Sequence, residues 1–276
     1  MPVTRITSKT NPFVKKLRLT ALDPRRASAD LVVAEGIRVL EEAVATGHEI
    51  EGVLITETFG RDGREKELLS LLRARDAKLY RTDERLAKSL SGVISPQGVL
   101  GLVRVPTLTL HQVDLTRNPL ILCACGIQDP GNLGSLIRTA AAAGACMLCT
   151  ISGTVSARNP KCVRSSAGMF FRSPVIENLR PEDFLQFCKK HAVRAFRADG
   201  RGSDTYCVAD LTLPTALLLG GESRGFSGPA WAAIPSIRIP MVPAVESLNV
   251  AAAGAILLFE AYRQRSVIEL GVTSDE

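Results

Sequence analysis

From Pro119 to Ile151 the chain reads as an apolar strand (PLILCACGI), a turn of glycine and proline (QDPGNLG), an apolar helix (SLIRTAAAAG) and a second apolar strand (ACMLCTI). Two strands of buried type joined by a helix of this length make a parallel βαβ unit, because parallel neighbours need a crossover that returns the chain to the same end of the sheet. The unit rules out all-helical and all-antiparallel architectures and predicts an open, mostly parallel α/β sheet with helices on its faces. Further strand signals at 175–177, 192–196, 216–219 and 237–239, with helices near 181–190 and 247–264, extend it to five or six strands. Open α/β sheets bind ligands outside the carboxyl ends of their strands. The strand-end segments DPGNLG, LGGESRG and the run from IPM to ESLN are therefore the candidate site.

A chain of 276 residues predicts about two domains at roughly 150 residues each. Ahead of the βαβ unit, LVVAEGIRVLEEAVATG reads as a strand and a helix from about Gly36 to Thr46, closed by Gly47. The segments EGVLIT, REKELLSLLRAR, AKLYRTD, ERLAKSLSG and QGVLGLVRVP continue the alternation. The expected organisation is a basic N-terminal arm over 1–30, a smaller α/β domain over 31–106, a linker over 107–118, the main domain over 119–265 and a mobile tail over 266–276.

Lys and Arg number 34 against 28 Asp and Glu, and seven of the basic residues fall within the first 30 positions against two acidic ones. A second basic stretch, 158–172, holds four cations, no acid, and the pair Phe170 and Phe171. Arg5, Lys9, Lys15, Lys16, Arg18, Arg158, Lys161, Arg164 and Arg172 are candidates for a phosphate-backbone track. The plain alternative for 158–172 is a solvated rim with its Phe residues in a core. The polar N-terminus lacks an apolar signal region, and the longest apolar run, Val250 to Phe259, is short of the roughly 20 residues that span a bilayer. A cytoplasmic protein with reduced thiols is expected.

Seven cysteines invite a metal reading, above all Cys123-x-Cys125 and Cys146-x-x-Cys149. Both pairs lie in apolar runs. The first would share one strand face and the second would point to opposite faces, a poor geometry for a four-ligand centre, so core packing is preferred and no metal is expected. GESRG at 221–225 matches a nucleophile elbow, but His48, His111 and His191 all precede Ser223, and that chemistry needs a later His. Phosphate-loop, dinucleotide-binding and zinc-protease signatures are missing from the sequence. Asn132 and Ser135 suit a helix start. Arg138, the single charge in SLIRTAAAAGA, would need an anionic partner in a packed helix.

At these residues the sequence resembles the SpoU (TrmH-like) family of RNA ribose 2'-O-methyltransferases, of the SPOUT class. Three ordered motifs carry the resemblance: QDPGNLGSLIRTA at 128–140, LLLGGESRG at 217–225 and IPMVPAVESLNVAAAGAILLFEA at 239–261, with VRSSAGMFFRSPV at 163–175 between the first two. ITSKTNPFVKKLRL and VVAEGIRVLEEA resemble the small RNA-substrate-binding domain that precedes many members. The resemblance implies a C-terminal trefoil knot, S-adenosylmethionine as methyl donor, and a ribose 2'-hydroxyl of structured RNA as acceptor, with 23S ribosomal RNA favoured. It also implies a homodimer in which Arg138 of one subunit reaches the cofactor region of the other. Neither membrane nor DNA is an expected partner.

Carried over position by position, the resemblance makes Gly220, Gly221, Glu222, Ile239, Met241, Leu248 and Asn249 cofactor-binding residues. Arg138, Asn132, Glu222, Ser247 and Asn249 become the catalytic set. A guanidinium stays charged in proteins, so Arg138 is read as stabilising charge on the 2'-oxygen and fixing a neighbouring phosphate, with the proton acceptor unassigned. Ser247 and Asn249 also suit plain capping of the adjoining helix. Two positions depart from the family pattern: Pro243 where Gly is usual and Ala251 where Ser is usual. A transfer RNA 2'-O-methyltransferase, or a non-catalytic RNA-binding or ribosome-assembly protein of the same fold, are the rival readings.

Overall fold

The computed structural model describes residues 3–22, 28–221, 226 and 228–269. The chain forms two compact units, Met1–Thr107 with Ala157–Arg172, and Leu108–Ser156 with Ser173–Glu276.

The first unit contains β1 (Thr4–Arg5), α1 (Pro12–Leu22), β2 (Leu31–Glu35), α2 (Ile37–Ala45), β3 (Glu49–Thr56), α3 (Gly63–Ala74), β4 (Leu79–Thr82), α4 (Glu84–Lys88) and β5 (Val99–Arg104). Its sheet runs in the order β1-β4-β3-β5-β2, with β5 antiparallel to both neighbours. The N-terminal stretch is not a free arm. β1 pairs with β4, and α1 buries Phe13, Val14 and Leu17 against Leu31, Leu54, Leu100 and Leu102. Asn11 caps α1 by accepting the Phe13 N–H at 2.9 Å. Basic residues occupy only the outer face of this helix, which is why charge alone reads as an arm.

In the second unit every paired strand is parallel. Its elements are β6 (Leu120–Cys125), α5 (Pro130–Ala142) and β7 (Met147–Ile151), then α6 (Pro160–Ser165), which leaves for the first unit, then β8 (Val175–Leu179), α7 (Pro181–Lys190), β9 (Arg194–Ala198), β10 (Asp204–Thr205), β11 (Thr215–Gly220), β12 (Ser236–Arg238) and α8 (Val250–Glu269). The order is β10-β12-β9-β11-β6-β7-β8, seven strands among the described residues rather than five or six. β6, α5 and β7 are the βαβ unit foreseen from sequence. α8 lies close on its neighbours: a Cβ at Gly254 would sit 2.3 Å from Leu136 Cδ2 and 2.7 Å from Leu219 Cδ1. Helix α8 continues through Glu269, past the expected start of a tail at 266, and residues 270–276 lie outside the described residues. The proposed linker also has a packing role, since Leu108, Leu110, Val113 and Leu115 cover the core of the second unit.

Cys123, Cys125, Cys149 and Cys188 belong to that core, with Cys123 Sγ 3.9 Å from Cys125 Sγ. Burial pushes the Cys188 thiol up to about 12 and raises those of Cys123 and Cys149 well above the ordinary range. They behave as small apolar side chains.

Residues 157–172, assigned by sequence to the main domain, pack in the first unit. Phe170 and Phe171 are buried there in edge contact, with centroids 5.4 Å apart. Arg164 Nη1 donates to Glu35 at 2.6 Å, Ser91 donates its hydroxyl to the same carboxylate, and Glu35 is 4% exposed. Removing one partner of a buried pair strands the other. Arg164→Ala is expected to lower unfolding free energy by about 3 kcal/mol, whereas Arg172→Ala, which breaks a more exposed pair with Glu42, should cost under about 1 kcal/mol. Urea unfolding midpoints of the two variants give the comparison.

Candidate active site

The carboxyl ends of β9 and β11, the loop after β12 and the start of α8 enclose a cleft of about 180 Å³ in the second unit. Gly220, Ile239, Met241, Ser247 and Leu248 line it, five of the residues expected from sequence. A wider mouth of about 550 Å³ adjoins it, bounded by Arg201, Arg238, Pro243 and Glu246 among others. Parallel strands ending side by side leave such a crevice because their connections run off in different directions.

Asn249 sits immediately before α8 and does two things. Its Oδ1 accepts the N–H groups of Ala251 and Ala252 at 2.9 and 3.3 Å, which caps the helix, and its Nδ2 donates to Asn132 Oδ1 at 3.1 Å. Asn132 is not itself the cap of α5. Asp129 takes that role by accepting the Asn132 N–H at 2.9 Å, and this leaves the Asn132 side chain free to meet Asn249. Gln128 ties the adjacent strand ends together through Nε2, donating to the carbonyls of Gly126 at 3.1 Å and Gly153 at 2.6 Å.

Arg138 does not line the cleft. Its side chain is exposed on α5 and has no ion-pair partner among the described residues, so the anionic partner expected from sequence is not supplied within them. Glu222, and Ser223 of the hydrolase-like string, lie outside the described residues. Ser247 borders the cleft but does not cap α8. Gly221 is not among the residues lining the cleft; it stands close against the Gly126 backbone.

Six of the nine candidate RNA-contacting cations are already engaged. Arg5 pairs with Glu57, Lys16 with Glu51, Arg164 with Glu35 and Arg172 with Glu42. Arg158 donates to the carbonyls of Val105 and Pro106, and Lys161 also has an interaction. Lys9, Lys15 and Arg18 are exposed and without ion-pair partners among the described residues. The basic stretch at 158–172 is therefore in large part a structural clamp within the first unit.

Sequence reading passed over Asp199 and Gly200 and gave no individual role to Leu219 and Glu246 within its candidate segments; all four line the cleft. A signal was there: Asp199 and Gly200 come directly after β9, at the carboxyl edge where ligands bind. The cleft's composition suits a molecule with one apolar and one charged end, because Leu219, Ile237 and Leu248 line the cleft while Arg201 and Arg238 line the adjoining mouth. At Gly200 a Cβ would meet nothing nearer than 3.8 Å, so the wall there is bare.

Comparison with known proteins gives two family matches: the SpoU rRNA Methylase family over residues 119–259 and the MRM3-like substrate binding domain over residues 11–101. An uncharacterized tRNA/rRNA methyltransferase of Synechocystis sp. is 31% identical, covering 95% of each chain. The 23S rRNA (uridine(2479)-2'-O)-methyltransferase of Streptomyces viridochromogenes is 29% identical over 95% of this chain and 92% of its own. The crystal structure of an AdoMet-bound rRNA methyltransferase from Sinorhizobium meliloti matches with a TM-score of 0.82 at 27% identity, covering 95% of this chain and 98% of that one.

Proposed function

Because this chain belongs to the SpoU rRNA methylase family, we propose that it methylates a ribose 2'-hydroxyl of 23S ribosomal RNA in the cytoplasm. It is an S-adenosylmethionine-dependent RNA 2'-O-methyltransferase whose second unit has the SPOUT fold with its trefoil knot. One observation carries the choice of ribosomal RNA: the likeness to rRNA-named relatives runs through the N-terminal unit as well as the catalytic one. That unit is where a large structured RNA would be held.

Gly220, Ile239, Met241 and Leu248, which line the cleft, are the residues that would hold the donor. Bound S-adenosylmethionine supplies an electrophilic methyl group on a sulfonium centre, so the protein's task is alignment and charge management. Asn132, pinned by Asn249, orients the acceptor ribose. Arg138 binds a phosphate beside the target and stabilises negative charge growing on the 2'-oxygen. Since Arg138 stands away from its own chain's cleft, a second copy is the natural source of the arginine. The exposed apolar residues Ile256, Phe259 and Tyr262 on α8, at 36%, 47% and 49% exposure, support a homodimer built on this helix.

The test is transfer of labelled methyl from S-adenosylmethionine to unmodified ribosomal and transfer RNA, with the product nucleotide mapped. Labelling of one ribose in 23S RNA is the expected result; labelling of transfer RNA alone would reassign the substrate. RNA affinity should fall with rising salt, by a log–log slope of about 0.7 to 0.9 per phosphate contact. Lys15→Ala should reduce that slope by about one, and salt-independent binding would remove the track formed by Lys9, Lys15 and Arg18.

A further inference from the structure

The cleft changes character along its length. Its inner end is aliphatic, with Leu219, Ile237 and Leu248, while the adjoining mouth carries Arg201 and Arg238. Asp199 borders both, so it stands at the junction. Its carboxylate is held at each oxygen: Oδ2 accepts from Arg197 Nη1 at 2.9 Å and Oδ1 from the Arg201 N–H at 2.9 Å. Arg197 is anchored in turn, donating from Nε to the Ile234 carbonyl at 3.2 Å. Glu246, the other carboxylate at the junction, is exposed and has no such anchor among the described residues.

A carboxylate oxygen has two acceptor sites, so each oxygen of Asp199 keeps one for a ligand. Two fixed acceptors side by side match a pair of vicinal hydroxyls. An acidic residue beyond a strand end reads a ribose in this way in dinucleotide-binding sheets. The methyl donor is laid out in the same order as the cleft, with a flat base, then a ribose diol, then a charged amino-acid group. Resting on the reading of this cleft as the donor site, we propose that Asp199 accepts hydrogen bonds from the ribose hydroxyls of the bound donor and makes the cleft selective for ribonucleosides. Arg197 is then a positioning residue that sets the direction of the carboxylate.

The experiment is calorimetric titration of the full chain with S-adenosylhomocysteine and with its 2'-deoxy and 3'-deoxy analogues, for the wild type, Asp199→Asn and Asp199→Ala. The wild type should bind the diol ligand about tenfold or more tightly than at least one deoxy analogue. In Asp199→Ala the ratio should fall to within about twofold of unity, with Asp199→Asn in between. Each ratio compares two ligands on one protein, so a general loosening of the cleft cancels and only loss of the diol contact moves it. Equal binding of parent and deoxy ligands by the wild type, or a ratio that survives in both variants, overturns the assignment. Absence of any S-adenosylhomocysteine binding to the wild type overturns the donor-site reading itself.

Discussion

Arg138→Lys is expected to lower the single-turnover rate of methyl transfer roughly 100- to 1000-fold, the range seen when a group that stabilises developing charge is removed. The substitution keeps the positive charge, so the loss isolates geometry. A guanidinium presents a planar fork that can hold a phosphate oxygen and a developing alkoxide together, whereas an ammonium is a point charge on a flexible stem. The proposed use requires an available guanidinium, and Arg138 is exposed on α5 with no carboxylate among the described residues to neutralise it. Because its proposed contacts are to the RNA phosphate and the 2'-oxygen and not to the donor, affinity for S-adenosylhomocysteine should stay within about twofold of wild type. Rapid-quench assays with saturating donor and RNA separate the two quantities. A near-normal rate in the lysine variant would remove the arginine from the chemical step.

The same residue shows where sequence reading stopped. A single charge within an apolar helix marked Arg138 as needing an anionic partner, and no such partner lies among the described residues of its own chain. The sequence was most informative where whole strands are buried, as in β6 and β7, whose continuous apolar runs on either side of α5 leave no architecture but a parallel βαβ unit. It was least informative where charge and burial share a helix. Phe13, Val14 and Leu17 anchor α1, but Lys15 and Lys16 lie between them in the sequence and Arg18 directly follows, which breaks up the apolar pattern. Residues 157–172 pack away from the unit that flanks them in sequence, and no local pattern encodes a long-range pair such as Arg164 with Glu35. In the site, resemblance supplied Gly220, Ile239, Met241 and Leu248. Asp199 was legible only from its place at the carboxyl end of β9, since no motif contains it.

Gly221→Ala should weaken S-adenosylhomocysteine binding by tenfold or more and lower stability by about 2 kcal/mol, although the change adds one methyl group. A Cβ at this position would stand 2.4 Å from the Gly126 carbonyl oxygen and 2.9 Å from its carbon, so the obstacle is main chain rather than a side chain that can swing aside. Nor can Gly126 retreat freely. Its carbonyl accepts from Gln128 Nε2, its N–H donates to Thr154 Oγ1 at 2.9 Å, and the Gly221 N–H donates to the Cys125 carbonyl at 2.8 Å. Relief therefore requires the ends of β6 and β11 to separate, and β11 ends in Gly220, which forms part of the cleft wall. Gly63→Ala is the matched control, since a Cβ there meets nothing within 4 Å at the first residue of α3. Reducing the unfolded chain's freedom at a compatible site should leave that variant neutral or slightly more stable. Calorimetric binding and thermal melts on both variants decide the matter: if Gly221→Ala binds and melts like Gly63→Ala, the close approach of the two strand ends does not shape the cleft.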